Sequence, residues 1–383
     1  MRVAIIHDWL VTPGGAEKVL EEILSSFPDA DLYTLVDFMP RVDSGYLSKV
    51  RVTTSFIQNL PFAQKRYRHY LPFMPLAVEQ FDLSTYDVVI TSSHAIAKGV
   101  IVGPDQLHIC YCHSPIRYAW DMQHQYLRDS GLDQGFQGLI TRWLLHKIRI
   151  WDTRTSNSVD HFIANSHFIE RRIKKAYRRN STVIYPPVNI DRFRFVENKD
   201  NYYVVASRMV QYKKIPLIIE AFNRMPSRNL VVIGDGPDFD ECKKIANHNI
   251  KILGWQPNSE LVMAMQNAKA FVYIAEEDFG ISPIEAQACG TPVIAYGKGG
   301  LAETIIDVSK DMPTGILYAD QSVDSLISAV EKFEKYSHLI RPENCRKNSE
   351  RFSAERFNSE FKGFVIRKYS EFQNELLTSG YAT

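Results

Sequence analysis

Strand signals and helix signals alternate along almost the whole of this chain, and that alternation restricts it to an α/β fold built on mostly parallel sheet. The clearest instance is AFVYI followed by AEEDFGISPIEAQACGTPVIAYGKGG, residues 275–300. Aromatic and β-branched residues make AFVYI a buried parallel strand. Ser282-Pro283-Ile284-Glu285 then predicts a helix, with Ser282 as N-cap and Pro283 as first helical residue. Open α/β sheets bind ligands where strands end and helices begin, so the intervening turn is the first candidate site. The amides of residues 283–285 would face an anion such as phosphate there, and Gly280 would let main chain approach it closely. Spacing leaves two readings of Glu285 open: a capping-box acid bonded back to Ser282, or a carboxylate that meets a ligand. Glu277 is in the same way either a solvated loop acid or a site acid.

Composition narrows the class. A chain of 383 residues is too long for one core and predicts two domains. A net charge of +1 argues against a dedicated nucleic-acid binder. Cysteines at 110, 112, 242, 289 and 345 have the spacing of neither a disulfide framework nor a zinc site, which points to a reducing, cytoplasmic compartment. His7 and Asp8 interrupt MRVAIIHDWL too early for a signal-peptide core. No apolar run approaches the roughly 20 residues that span a bilayer, so membrane contact would be peripheral.

Residues 2–6 read as a strand that runs into HDWLVTPGGAEKVLEEIL, where Gly14 and Gly15 precede a helix. Such a pair either brings amides to a diphosphate or makes a tight turn, and the third glycine of a dinucleotide fingerprint is missing. Asp29-Ala30-Asp31 reads as loop and helix-end chemistry rather than a metal pair. Between Ser44 and Val78 there is no acid, while Lys49, Arg51, Lys65, Arg66 and Arg68 alternate with Phe56, Phe62, Tyr67, Tyr70 and Phe73. That mixture suits an anionic membrane or a lipid-diphosphate acceptor, or else an irregular segment whose aromatics are core. His113 follows the strand LHICYC, and helical spacing covers residues 141–154 and the basic stretch SHFIERRIKKAYRR. Pro-Pro in TVIYPPVNIDRF and the polar VENKDN mark a linker. Beyond it, Arg208 and Lys213 stand across a strand-to-helix turn, where a guanidinium and an ammonium can pair with both phosphates of a nucleotide diphosphate. Lys214 is the adjacent competitor for that role. Phe357, Phe361, Phe364, Val365 and Tyr369 recur at helical spacing, so the last helix should bury one face.

Glu277 and Glu285 with seven residues between them, the following ACGTP and GKGG, SRMVQYKK ahead of EAF, and HSPIRYAWD together resemble the family-four retaining glycosyltransferases. The resemblance implies a GT-B fold, two doubly wound Rossmann-like domains facing each other across a cleft. Residues 1–187 would form the acceptor-side domain, with a C-terminal helix at about 354–383 packing back on it, and 188–353 the nucleotide-sugar domain. By the same resemblance Glu277 meets hydroxyls of the transferred sugar and Glu285 the ribose. Arg208 and Lys213 meet the diphosphate, with the turn of Phe279, Gly280 and Ile281 and the loop of Gly14 and Gly15. Gly254 and Trp255 lie by the base, and His113 meets the donor sugar. Arg117, Tyr118, Trp120 and Asp121 would line the cleft beside His113, with Arg117, Tyr118 and Asp121 on the acceptor side; a position near a strand end adds Asn165, Ser166 and Arg172 to that side, and the basic-aromatic stretch adds Arg66 and Arg68.

Glu277, His113, Arg208 and Lys213 are then the catalytic set. The implied reaction moves a hexose, with retention and without metal or cofactor, from a nucleotide diphosphate sugar to a glycan or polyprenyl-diphosphate-linked acceptor at the inner face of the cytoplasmic membrane. The motifs look closest to mannosyltransferase-like enzymes of bacterial surface polysaccharide and lipopolysaccharide synthesis, which favours GDP-mannose. Asn189 departs from the Asp that members often carry after Pro-Pro-Val. A nucleotide-sugar 2-epimerase of the same architecture, or a non-catalytic sugar-nucleotide-binding subunit, are the rival readings.

Overall fold

All strand pairings of the computed structural model are parallel, which obliges every connection to cross from one end of a sheet to the other. The structure describes residues 1–40, 47 and 50–378. They divide into two units, Met1–Pro187 with Glu355–Thr383, and Val188–Ala354. The first holds β1 (Val3–His7), β2 (Asp31–Thr34), β3 (Val52–Thr54), β4 (Val88–Ser93), β5 (Leu107–Cys112), β6 (His161–Ala164) and β7 (Ser181–Val183). Their order is β3-β2-β1-β4-β5-β6-β7. The second holds β8 (Tyr203–Ala206), β9 (Leu230–Ile233), β10 (Ile250–Gly254), β11 (Ala270–Tyr273), β12 (Val293–Tyr296) and β13 (Gly315–Tyr318), ordered β10-β9-β8-β11-β12-β13. Strand order reverses between β1 and β4 and again between β8 and β11, and such switch points are where doubly wound sheets open crevices for ligands.

The helices that bear on the sites are α1 (Gly15–Ser26), α2 (Gly135–Thr155), α3 (His167–Tyr177), α4 (Ile215–Asn223), α5 (Ile281–Ala288), α6 (Pro342–Glu350) and α7 (Ala354–Thr378). Although α7 comes last in the chain, Phe357, Phe361, Phe364 and Val365 bury themselves with Val19, Leu20 and Ile23 of α1 in the core of the first unit. The rings of Phe357 and Phe361 stack at 5.4 Å, and Tyr111 of β5 meets Phe357 edge-on at 5.8 Å.

Two boundaries differ from the spacing-based expectation. β1 runs to His7 because His7 pairs with both Thr34 and Ser92, which carries the ladder one residue further. α2 begins at Gly135 rather than 141, since its two early glycines weaken the helical pattern. Gly138 is nonetheless required, as a Cβ there would lie 2.8 Å from the Leu132 carbonyl.

Because β4 and β5 are buried along their whole length, any polar group near them must find a partner inside. His108 does so through Thr91 Oγ1 at 3.1 Å and the Ser158 carbonyl at 3.1 Å, and burial pushes its pKa down to about 4. Lys98, also buried, forms an ion pair with Asp152 of α2 and donates to Thr155 Oγ1 at 3.2 Å. The second oxygen of Asp152 accepts from Trp120 Nε1 at 2.7 Å and Tyr177 Oη at 3.0 Å. Desolvation offsets most of the attraction within a buried pair, so the pair as a whole adds little stability, but it is costly to halve. Asp152→Ala is therefore expected to cost about 3–5 kcal/mol, and Lys98→Met with Asp152→Leu to recover only part of it, because Trp120 Nε1 and Tyr177 Oη still lose their acceptor. The check is the urea midpoint of each variant at unchanged m-value.

Candidate active site

At the switch point of the second sheet, β8 and β11 end side by side. Past β8 the chain makes a short turn, Gln211–Lys213, and past β11 it reaches Glu277. Lys213 Nζ donates to Tyr273 Oη at 2.7 Å and to Glu277 Oε1, and Tyr273 Oη donates to that same oxygen at 3.1 Å. The ammonium also stands 5.2 Å from the ring centres of Tyr212 and Tyr273. Burial would lower the Lys213 pKa, but the charge of Glu277 and the two phenols outweigh it and hold the pKa above the usual lysine value. Burial and then Glu277 push the Tyr273 phenol up. The result is a permanently charged, immobilised cation. Lys214 points elsewhere: with φ of 52° it turns the chain into α4 and donates to Gln321 Oε1 at 2.7 Å.

The glycine turn after β12 holds Glu277 from behind. Gly300 N donates to the Glu277 carbonyl at 2.8 Å, and a Cβ on Gly299 would lie 2.2 Å from that oxygen. A Cβ on Gly300 would lie 2.4 Å from Phe279 Cα. These glycines are there because backbone packs on backbone. The helix start differs from expectation: Gly280, at φ 90°, is the N-cap of α5, no side chain caps it, and Ile281 is the first helical residue. A left-handed glycine can turn the chain directly into the helix, so Ser282 and Pro283 fall inside the first turn, where proline is tolerated. The open amides are accordingly those of Ile281 and Ser282, not of residues 283–285.

The other residues expected near the donor take varied positions. Glu285 is buried within α5. Phe279 turns its ring into the core, edge-on to Phe352 at 5.4 Å, so its side chain belongs to packing. Arg208 lies exposed on the turn after β8 and makes no side-chain hydrogen bond or ion pair among the described residues. Gly254 ends β10 at φ 71° with its carbonyl accepting from Gly234 N at 2.9 Å, and Trp255 beside it is exposed.

The switch point of the first sheet holds a denser polar cluster. Asp8, fully buried after β1, accepts the amides of His94, Ala95, Ile96 and Ala97 at 2.6, 3.0, 2.6 and 2.7 Å. His94 Nδ1 lies 3.0 Å from it. Burial alone would raise the Asp8 pKa; the charge of His94 and these donors hold it far below the usual carboxylate range. Burial would likewise lower that of His94, and Asp8 raises it instead. Beside this pair, Ser92 Oγ bridges His7 Nδ1 at 3.1 Å and His113 Nε2 at 2.9 Å. His7 Nε2 faces Glu17 of α1 at 3.8 Å. Burial, then the charges of His94 and His7, hold His113 well below the usual histidine range, so it is neutral. Gly14 caps α1 in extended conformation, and a Cβ on it would meet the Glu17 carboxylate at 2.8 Å. Gly15 opens the helix. Spacing had singled out His113, Gly14 and Gly15 but not Asp8, His7, Ser92, His94 or Tyr273. The signal available was position alone, since each ends a strand or follows one at a switch point.

Among the acceptor-side expectations, Asp121 and Arg172 turn out to neutralise one another at 2.6 Å, with Arg172 over the Phe168 ring at 4.9 Å. Trp120 belongs to the Asp152 network, and Tyr118 meets Tyr126 edge-on at 6.1 Å, its phenol pushed up by burial. Arg117 is partly buried on the turn after β5. Asn165 Nδ2 donates to the His113 carbonyl at 3.0 Å, and Ser166 caps α3. Arg66 lies over Phe62 and Arg68 over Tyr67, at 5.9 and 5.4 Å, while Tyr67 itself is core; Ser44 and Lys49 lie outside the described residues. Asp31 opens β2 rather than lying in a loop and accepts from Tyr86 Oη at 2.7 Å, while Asp29 of the same triplet is exposed. Asn189 Oδ1 accepts from Arg192 N at 3.3 Å, a capping bond that an aspartate could make as well. Among the described residues no cluster of His, Cys, Asp and Glu is arranged to hold a metal ion, and the five cysteines are buried and unpaired.

Residues 13–192 match the family described as Glycosyltransferase Family 4, and residues 188–352 that described as Glycosyl transferases group 1. The chain is 25% identical over 288 residues to the alpha-1,3/1,6-mannosyltransferase ALG2 of Candida glabrata, covering 58% of this chain and 63% of that protein. It is 28% identical over 204 residues to a GDP-mannose-dependent monoacylated alpha-(1-6)-phosphatidylinositol monomannoside mannosyltransferase of Corynebacterium glutamicum, covering 45% and 52%. The chain thus spans between half and two thirds of these two relatives. In fold it is similar to Anabaena HepE, solved in complex with UDP, at a TM-score of 0.68 and 17% identity, covering 96% of this chain and all of that one. Two parallel-sheet units of GT-B type, with successive family matches running through both, identify the chain as a member of the family-four glycosyltransferases.

Proposed function

We propose that this glycosyltransferase moves mannose from GDP-mannose to a hydroxyl of a lipid-linked oligosaccharide, with retention and without metal, in the synthesis of a surface polysaccharide. The observation that carries the catalytic reading is the Lys213–Glu277–Tyr273 contact at a switch point. A nucleotide diphosphate leaving group develops negative charge as the anomeric bond breaks, and fixed positive charge lowers that barrier. Lys213 supplies it, with Arg208 as the second cation and the amides of Ile281 and Ser282 as neutral donors. Glu277, acceptor-only when ionised, takes hydrogen bonds from sugar hydroxyls, and Glu285 those of the ribose. His113, which the resemblance assigns to the donor sugar, is neutral and held by Ser92, so within the first unit it offers a hydrogen bond without charge.

In the step itself the bond from anomeric carbon to phosphate oxygen breaks, and the acceptor oxygen bonds the same face of that carbon. The acceptor's proton passes to the departing diphosphate, so no protein nucleophile is needed. Mannose and a lipid-linked acceptor are supported by the names of the relatives, among them a GDP-mannose-dependent enzyme acting on a phosphatidylinositol mannoside. HepE binds UDP, which makes a uridine donor the competing choice.

Glu277→Gln, Lys213→Ala and Arg208→Ala are each expected to lose about 2–4 kcal/mol of transition-state stabilisation, roughly a hundred-fold in kcat/KM. Steady-state kinetics with a folded-state control measure this; wild-type turnover in all three variants rejects the assignment. GDP-mannose should raise the melting temperature more than UDP-glucose, as a ligand held by the native state alone stabilises by mass action. The reverse order overturns the choice of base. Product analysis by NMR should show an α-mannoside on the acceptor, whereas conversion of the nucleotide sugar without an acceptor would favour the 2-epimerase.

A further inference from the structure

Helix α2 carries apolar residues on two opposite faces, where a surface helix of a water-soluble fold carries them on one. Its inward face holds Leu145 and Ile148 in the core and Asp152 on Lys98. On the opposite side Phe136, Leu139, Ile140, Trp143 and Ile150 lie between 44% and 76% exposed. Their spacing of three, four and seven residues draws them into one stripe. Single exposed apolar side chains are ordinary, whereas a continuous row of large ones marks an interaction surface.

The charge along this stripe has one sign. No acid occurs from Gln134 to Trp151, while His146 and Lys147 are exposed and the Lys147 ammonium lies 5.6 Å from the Trp143 ring. Arg142 and Arg149 are turned to protein carbonyls, Asp133 O at 2.6 Å and Ala119 O at 2.8 Å. A second stretch of the same character sits on a neighbouring element. Glu79, ending the helix Met74–Glu79, accepts from Trp151 Nε1 at 2.8 Å and Arg154 Nη2 at 2.7 Å of α2. Just before it Phe62, Phe73 and Leu76 are each more than half exposed, among exposed Lys65, Arg66 and Arg68. No helix among the described residues is long and apolar enough to cross a membrane, so this surface can lie on a bilayer but not span it.

We propose that the outward face of α2, with the 62–76 stretch beside it, docks the first unit on an anionic lipid bilayer. Phe136, Leu139, Ile140 and Trp143 enter the interface, and Lys147, Lys65, Arg66 and Arg68 meet the headgroups. A second copy of the chain is the weaker occupant: a two-fold contact sets a patch against itself, and here that opposes Lys147, Lys65, Arg66 and Arg68 while Glu79, the acid between the two stretches, is already paired with Arg154. The docking deepens the proposed function by bringing the chain to a lipid-linked acceptor, on which reading only that consequence rests.

The test is co-sedimentation of the full chain with vesicles of phosphatidylcholine alone and of phosphatidylcholine with about one third phosphatidylglycerol. Binding is expected to the anionic vesicles, weakened but not abolished at about 0.5 M salt. Leu139→Glu with Trp143→Glu should lower the partition coefficient at least about tenfold, with far-UV circular dichroism, melting temperature and the melting shift from nucleotide sugar unchanged. Phe136→Ser with Ile140→Ser is the milder pair, should the first disturb the fold. Vesicle binding equal in both variant pairs and wild type, or none in wild type, overturns the proposal. So does a dimer in light scattering that dissociates on either double substitution, since the stripe then belongs to a second copy. Vesicle binding that follows these expectations while no nucleotide sugar stabilises the protein upholds the surface and removes the glycosyl-transfer chemistry proposed above.

Discussion

A carboxylate taken out of water must be answered inside the protein, and three such answers organise this molecule. Asp8 is answered by four consecutive amides and an imidazole, Asp152 by an ammonium, an indole and a phenol, and Glu277 by an ammonium and a phenol. In each case the donors come from a different element than the acid. Asp8 joins the turn after β1 to the turn after β4, and Glu277 joins the turn after β11 to the one after β8. Hydrophobic burial in the sheets fixes where strands lie but is indifferent to how their exit turns are shaped. The acids supply that missing specification, because a charge left half-satisfied costs more than a displaced methyl group.

Parallel sheet explains why such turns accumulate at one end of each unit. When every neighbour runs the same way, all strand ends that feed helices lie along one edge, and the reversal of strand order opens a gap there. Both units repeat this arrangement with unrelated residues. The first fills its gap with Asp8, His7, Ser92, His94 and His113; the second with Lys213, Tyr273 and Glu277. Stability and chemistry thereby draw on the same residues. The Glu277 contact keeps Lys213 charged, while burial first and then the charges of His94 and His7 keep His113 neutral.

Alternation of apolar runs with helical spacing made the α/β class and the parallel sheets legible, because both periods are written directly in residue type. The spacing of Phe357, Phe361, Phe364 and Val365 likewise announced a buried face, and they are buried. Local turn chemistry was less legible. Ser282-Pro283 carries the stronger capping signal, yet Gly280 caps the helix, since at φ 90° a glycine turns the chain and a Cβ there would lie 2.4 Å from Leu301 Cδ2. GKGG entered only as part of the resemblance, and its Gly299 and Gly300 serve to let main chain cross main chain behind Glu277. Asp8 and Tyr273 escaped notice because nothing in their neighbours' identity distinguishes a buried acid or phenol with distant partners from a solvated one. Arg172 and Asp121, fifty-one residues apart, likewise satisfy each other in a way that no local pattern can express.

The pairing of Lys213 with Glu277 also bears on how a donor would be received. Glu277 pairs with the lysine and Tyr273 closes the triangle, so protein groups hold the ammonium in place. An arriving diphosphate would then meet an ammonium whose conformational entropy is already gone, and its second charge would have to be matched by Arg208, which is exposed and has no side-chain ion pair among the described residues. Under the proposed function the two cations therefore differ in kind. Lys213 is a fixed charge aligned by its acid, and Arg208 is ordered by the substrate itself. That division makes Glu277 a dual residue. Its oxygen fixes the cation before binding, and its remaining acceptor capacity, four lone-pair sites in all for an ionised carboxylate, is what a sugar hydroxyl could use. Replacing it by glutamine would leave the shape of the turn intact while removing the charge that keeps Lys213 in place.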